Sequence, residues 1–174
     1  MNYYLKNYSV RSQLIAENPS DKIGVIVVIP CFNEPKLNKS LQSLFDCKLP
    51  DCEVEVIVVI NASKKAEGFV LNQNKKTLLD AEEWRTANFG KIASSRKLSG
   101  LAMTFHFIQE NELPIKDAGV GLARKIGMDE AVRRFEQINK PDGVIVCFDA
   151  DSKCEENYLV EIEKHFKANP KSPA

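Results

Sequence analysis

Three short segments dominate this chain: "GVIVVIP" (24–30), "VEVIVVI" (54–60) and "GVIVCF" (143–148). Each is a nearly unbroken run of β-branched and apolar residues. A strand with one solvated face alternates apolar and polar positions; a strand covered on both faces does not. Runs of this kind therefore predict a parallel sheet packed between two layers of helix. Parallel neighbours need long crossovers, so the sequence between the runs should be helical.

The intervening segments fit. In "NEPKLNKSLQSLF", Leu37, Leu41 and Leu44 recur at helical spacing, with Pro35 suited to a first turn and Asn33 to a cap. "PDCE" ends that helix, so strand, helix and strand follow one another as a βαβ unit. "TLLDAEEWRTANF" offers Leu78, Leu79, Ala81 and Trp84 for one helical face. "LAMTFHFI" (101–108) has strand alternation through Leu101, Met103, Phe105 and Phe107. "VGLARKIGMDEAVRRFEQI" (120–138) predicts a long helix with a stripe of Met128, Ala131, Val132, Phe135 and Ile138. "EENYLVEIEKHF" predicts a last helix. Strands and helices alternate throughout, so the fold class is α/β with a mainly parallel twisted sheet flanked by helices. Residues 1–23 read as a mobile or loosely docked N-terminal arm, and residues 24–174 as a single domain.

The 174 residues suffice for one hydrophobic core, and 24 basic side chains balance 24 acidic ones. That balance gives no electrostatic reason to expect nucleic acid as a partner. No secretory apolar segment opens the chain, and its apolar runs are too short to span a bilayer. Cytoplasmic residence is the expectation, with membrane association only through a segment outside this sequence. Five cysteines, Cys31, Cys47, Cys52, Cys147 and Cys154, are odd in number and form no CxxC pair. They read as reduced, inert thiols. Cys47 and Cys52 are near enough in sequence to bridge, but nothing requires it.

In open parallel sheets, ligands bind outside the carboxyl ends of the strands. That rule directs attention to "PCFNE", "NAS" and "DADS". In the last of these, Asp149 and Asp151 are one residue apart. In extended backbone they project to the same side, about 6 Å apart, and repel by about 3 kcal/mol at an effective dielectric near 20. A hard dication relieves that repulsion. Mg²⁺ and Mn²⁺ take oxygen ligands and complete their shell with waters and substrate phosphates. A solvated turn accounts for the same two residues equally well, since Asp favours turns and helix caps.

Four segments together resemble the nucleotide-binding N-terminal half of family 2 glycosyltransferases of the GT-A fold: "VIVVIPCFNEP", "VEVIVVINAS", "GVGLARKIGMDEA" and "GVIVCFDADS". About 50 residues between Ser63 and Ala118 match poorly. The resemblance implies a glycosyltransferase, hexosyltransferase-like, that binds a UDP- or GDP-sugar through Mn²⁺ or Mg²⁺. The sugar would pass, with inversion as is usual in the family, to a saccharide or lipid-linked acceptor hydroxyl. It places Pro30, Phe32 and Glu34 against base and ribose. Asn61 stands where the family often has a base-reading Asp, and Ile60 replaces a second usual acid. Arg124 matches the helix segment that approaches the nucleotide and diphosphate, while Lys125 beside it reads as a surface salt bridge before a ligand contact. Asp149 and Asp151 form the DxD motif that holds the metal, with Asp149 also near the ribose. The family's general base lies beyond this motif, in an acceptor-binding half. No candidate for it occurs here, and Glu155 and Glu156 follow the motif too closely. The resemblance thus implies that the acceptor half is missing from this chain.

Other features carry less. His106 and His165 have no zinc-ligand spacing. Neither GxxxxGK[ST] nor GxGxxG follows the first strand. Trp84 beside Lys75, Lys76 and Arg85 reads as a core residue before a carbohydrate contact, and Lys91, Arg96 and Lys97 read as a solvated loop. Two other functions stay open. One is a non-catalytic nucleotide- or partner-binding module. The other, a sugar nucleotidyltransferase, expects a glycine-rich basic turn that "PCFNEPKL" lacks.

Overall fold

The computed structural model describes residues 3–99 and 102–170, without the side chains of 89 and 91–99. Its elements are α1 (Tyr3–Tyr8), β1 (Ile23–Cys31), α2 (Leu37–Phe45), β2 (Glu53–Ser63), α3 (Gly68–Ser99), β3 (Met103–Leu113), α4 (Val120–Gln137), β4 (Val144–Cys147) and α5 (Tyr158–Ala168). The four strands form an all-parallel sheet in the order β3-β2-β1-β4. Every residue of β1 is buried, as its unbroken apolar run predicts.

Connection handedness explains where the helices lie. Moving outward from β1 through β2 to β3, the crossovers α2 and α3 cover one face. The return from β3 to β4 runs the opposite way along the sheet, so a right-handed crossover must place α4 on the other face. The core divides accordingly. Val27, Ile29, Val56, Val58 and Phe105 pack with Leu37, Leu41, Leu44 and Leu159 on the first face. Ile26, Val28, Ile57 and Val59 pack with Ala123, Ile126 and Phe135 on the second. Trp84 joins the first face, edge-on to Phe105 at 5.0 Å and to Phe45 at 5.8 Å. Its Nε1 donates to Gln42 Oε1 at 2.9 Å, so it is a core residue.

Several expectations need correction. Asn33 does not cap α2. It takes a left-handed conformation (φ 49°) and donates its backbone N–H to Asn74 Oδ1, so the helix starts only at Leu37. The buried residues of α4 are Ala123, Ile126, Gly127, Asp129, Glu130, Ala131, Arg134 and Phe135, while Met128 is exposed. Ala131 and Phe135 of the expected stripe are among them and Ile138 packs beside them; Asp129, Glu130 and Arg134 are charged, and an apolar stripe does not include them. Leu79 is likewise exposed and Asn74 and Thr77 are buried in α3. The backbone at 91–99 is helical, not a loop; the side chains of Lys91, Arg96 and Lys97, and all of Leu101, lie outside the described residues.

The part of the arm from Tyr4 to Glu17 is not loosely docked but held on α4. The carboxylate of Asp129 accepts from Tyr4 Oη at 2.7 Å and from the Val10 backbone N–H at 2.9 Å. Glu130 accepts from the backbone of Leu14 and Ile15. Arg133 and Arg134 donate to the carbonyls of Arg11 and Glu17. Polar backbone that would otherwise face apolar surface is thus satisfied by one helix.

Gly127 marks the closest approach of α4 to the sheet. A Cβ there would lie 2.5 Å from Val28 Cγ1 and 3.2 Å from Val59 Cγ2. Those are stiff β-branched side chains in the two central strands. Gly127→Ala should therefore destabilise the fold by about 1–3 kcal/mol despite its better helix propensity; urea unfolding of the two proteins measures it.

Candidate functional site

The strand order reverses direction at β1: the chain leaves toward β2 on one side and returns to β4 on the other. A crevice opens at the carboxyl ends of the two strands flanking such a reversal. Val28 on β1 lies opposite Cys147 on β4. Phe32 and Asp149 therefore emerge from adjacent strands at this edge.

A buried amide network holds the turn after β1. Asn61 Nδ2 donates to the Cys31 carbonyl at 2.9 Å, and Asn74 Nδ2 donates to the Asn61 carbonyl at 2.8 Å. Asn74 Oδ1 accepts from Asn33, and Thr77 Oγ1 donates to the Glu34 carbonyl at 2.9 Å. This network explains the polar residues buried in α3. It leaves Phe32 half exposed at the ligand edge (51%). Glu34 is partly buried, and its carboxylate accepts from the Lys36 backbone at 2.7 Å. Burial pushes the Cys31 thiol up to about 12, with Glu34 adding to the effect, so it is an inert neighbour.

Two predicted residues occupy less open positions. Pro30 is buried within β1. Asn61 is fully buried, with its amide nitrogen engaged by Cys31 and its Oδ1 without a hydrogen-bond partner. In this conformation Asn61 positions the turn that carries Phe32.

Arg124 and Asp149, 25 residues apart in sequence, meet. Arg124 Nη2 donates to Asp149 Oδ1 at 2.9 Å. Their side chains are 34% and 63% exposed, and Arg124 Nε is buried without a partner. The N-terminal end of α4 brings the guanidinium here: Gly119, at φ 150°, precedes the first turn, a conformation open to glycine. Lys125 turns away, pairing with Asp129 at 2.9 Å and with Tyr4.

The DxD segment is not extended. Ser152 donates its backbone N–H to the Asp149 carbonyl at 3.0 Å, closing a turn over Ala150 and Asp151. The same-side projection expected of extended backbone does not apply. Both carboxylates are exposed and flank buried Ala150, whose carbonyl accepts from Ser40 Oγ at 2.6 Å. Sequence reading missed this tie and its neighbours. Lys48 donates its backbone N–H to the Glu156 carbonyl at 2.8 Å, and Cys47 lies against Cys154. No periodicity signals such contacts, which join α2 to a loop more than 100 residues away.

The site's donor set fits a hard dication in one respect. Two exposed carboxylates offer oxygen ligands and leave most of a coordination shell to water and phosphate. Among the described residues no group of three or more His, Cys, Asp or Glu is placed to hold a metal alone.

No protein-family model and no curated protein matches this sequence significantly. Solved structures do match. The crystal structure of S. aureus TarS 1-349 aligns with 85% of this chain and 33% of its own, at 17% identity and a TM-score of 0.50. The structure of the same TarS segment in complex with UDP-GlcNAc aligns with 85% and 32%, at 16% identity and a TM-score of 0.45. The chain spans about a third of the TarS structures. At such identity the likeness is one of fold: over most of its length this chain has the fold of TarS, a GT-A glycosyltransferase, and its parallel sheet is consistent with the N-terminal half of that fold.

Proposed function

We propose that this chain is the nucleotide-sugar-binding part of a glycosyltransferase. The observation that carries the reading is the Arg124–Asp149 contact at the point where the strand order reverses. A cation and a carboxylate from different elements meet there, partly exposed, and the exposed Phe32 follows the adjacent strand. A guanidinium suits diphosphate oxygens through its fork of donors. In this reading Arg124 turns from Asp149 to the diphosphate and stabilises the charge that builds on the leaving group. Asp149 and Asp151 would hold Mn²⁺ or Mg²⁺; when bound, the metal supplies further neutralisation of that charge. Phe32 packs against the base, and Glu34 accepts from a ribose hydroxyl. Asn61 supports the turn in the absence of ligand and reaches the base only by giving up its bond to Cys31. The acceptor and the general base lie outside what these residues provide.

Calorimetric titration of UDP and GDP, each with and without Mn²⁺, tests the proposal. Binding of one diphosphate that strengthens at least tenfold with Mn²⁺ is the expected result. No binding of either under any condition overturns it and favours a module that keeps the fold without the nucleotide.

A further inference from the structure

Cys47 Sγ and Cys154 Sγ lie 3.5 Å apart although the residues are 107 positions apart in sequence. Cys47 lies two residues beyond the end of α2, where its backbone N–H still bonds to the Leu44 carbonyl. Cys154 lies three residues after Asp151. The seam between these segments is held on both sides of the thiols. Ser40 binds Ala150, Ser43 Oγ accepts from the Cys154 backbone N–H at 3.4 Å, and Lys48 binds Glu156. Access is unequal. Cys47 is buried, whereas Cys154 is partly exposed and lines a concavity of about 600 Å³ between Phe148, Tyr158 and Phe166. Exposed Cys147 has a methionine sulfur, Met128 Sδ, at 3.9 Å, which cannot complete a disulfide. Cys52, the sequence neighbour of Cys47, sits instead against Gly24.

We infer that Cys47 and Cys154 are a site of reversible disulfide formation, the oxidant being a small disulfide of the glutathione class. A bond of about 2.05 Å needs the sulfurs to close by about 1.5 Å from their present 3.5 Å. The Cys154 thiolate, reached through the concavity, attacks the small disulfide. A mixed disulfide forms, and one small thiolate leaves and takes up a proton. Cys47 then gives up its proton and attacks Cys154 Sγ, which forms the protein disulfide and releases the second small thiol. Two protein thiols lose two electrons in all, and one small disulfide becomes two thiols. Burial raises the Cys47 thiol to about 12, with Cys154 adding to the effect, which with its burial makes Cys154 the thiol that attacks first. The product ties the end of α2 to the loop that follows the DxD turn. This inference does not depend on the nucleotide-sugar reading.

Prolonged incubation of the folded protein with oxidised glutathione, followed by alkylation, intact mass and non-reducing peptide mapping, tests it. The expected product is about 2 Da lighter, carries a Cys47–Cys154 cross-linked peptide and reverts with dithiothreitol. Closing so long a loop should raise Tm by about 5–10 °C. The same product is expected from the C52S/C147S variant, which keeps the pair intact. Five alkylatable thiols after oxidation, or a cross-link that runs chiefly through Cys52 or Cys147, overturns the inference.

Discussion

Glu55→Ala should lower stability by about 3–5 kcal/mol and Tm by about 10 °C, among the largest losses from any single substitution in this chain. Glu55 lies in a central strand and is 3% exposed; Arg134 on α4 is 2% exposed. Arg134 Nε and Nη2 bind the two carboxylate oxygens of Glu55 as a fork, and Nη1 binds the Glu17 carbonyl at 2.9 Å. His106 Nε2 lies 3.7 Å from Glu55, near enough for a charge interaction and too far for a hydrogen bond. Removing the carboxylate strands a buried guanidinium, and that penalty dominates. Replacing Glu55 and Arg134 together by methionines should recover most of the loss, because neither charge is then left unpaired. Burial pushes the Glu55 carboxyl up, but His106 and Arg134 more than reverse this, so its folded pKa lies below the ordinary value. A depressed carboxyl contributes its stability above the unfolded pKa, near 4.3, and loses it as pH falls through the folded pKa. The acid limb of Tm against pH should therefore be shallower in Glu55→Ala. A single-variant cost under about 1 kcal/mol would refute the account.

That pair also shows what a sequence hides. The runs at 24–30 and 54–60 announced buried parallel strands because burial on both faces leaves a continuous apolar signature. Glu55 and Arg134 interrupt two such surfaces, and their partnership depends on α4 crossing β2 at one register. Nothing in local spacing encodes that register. For the same reason, the stripe held Ala131, Phe135 and Ile138 correctly but included exposed Met128 and left out Glu130 and Arg134, which point inward to bind the arm and the sheet. The arm is docked by hydrogen bonds to side chains on α4 and by buried Leu5 and Ile15, isolated apolar residues that set up no period to read.

At the ligand edge, legibility follows the same division. The rule that ligands meet the carboxyl ends of parallel strands located "PCFNE" and "DADS" without coordinates. It could not tell which residues of those segments face outward. Phe32 does; Pro30 and Asn61 face inward, since the turn after β1 needs amide partners for its backbone and Asn61 and Asn74 provide them. Extended backbone would put both aspartates on one side, but the strand ends at Cys147 and the chain turns soon after, where the Ser152 N–H closes back on the Asp149 carbonyl.

Asp149→Asn should separate a binding role from a structural one. The Arg124–Asp149 pair is partly exposed, so its loss should cost at most about 1 kcal/mol of stability. In the proposed site, Asp149 instead loses a charge-assisted contact of about 1.5–3 kcal/mol with the metal–diphosphate, which corresponds to about 10–100-fold in Kd for UDP or GDP with Mn²⁺. Arg124→Ala should weaken the diphosphate by a similar factor, even without metal, since the guanidinium acts on phosphate directly. The two substitutions then differ in one readout: Asp149→Asn removes most of the Mn²⁺ enhancement, and Arg124→Ala keeps it. Asp151→Asn should follow Asp149→Asn if both carboxylates serve the metal across the turn. Isothermal titration of the three variants, with Tm as the structural control, decides between these outcomes. Wild-type affinity in all three variants, with folds intact, would mean that the exposed turn is only a solvated turn and that Arg124 is only its ion-pair partner.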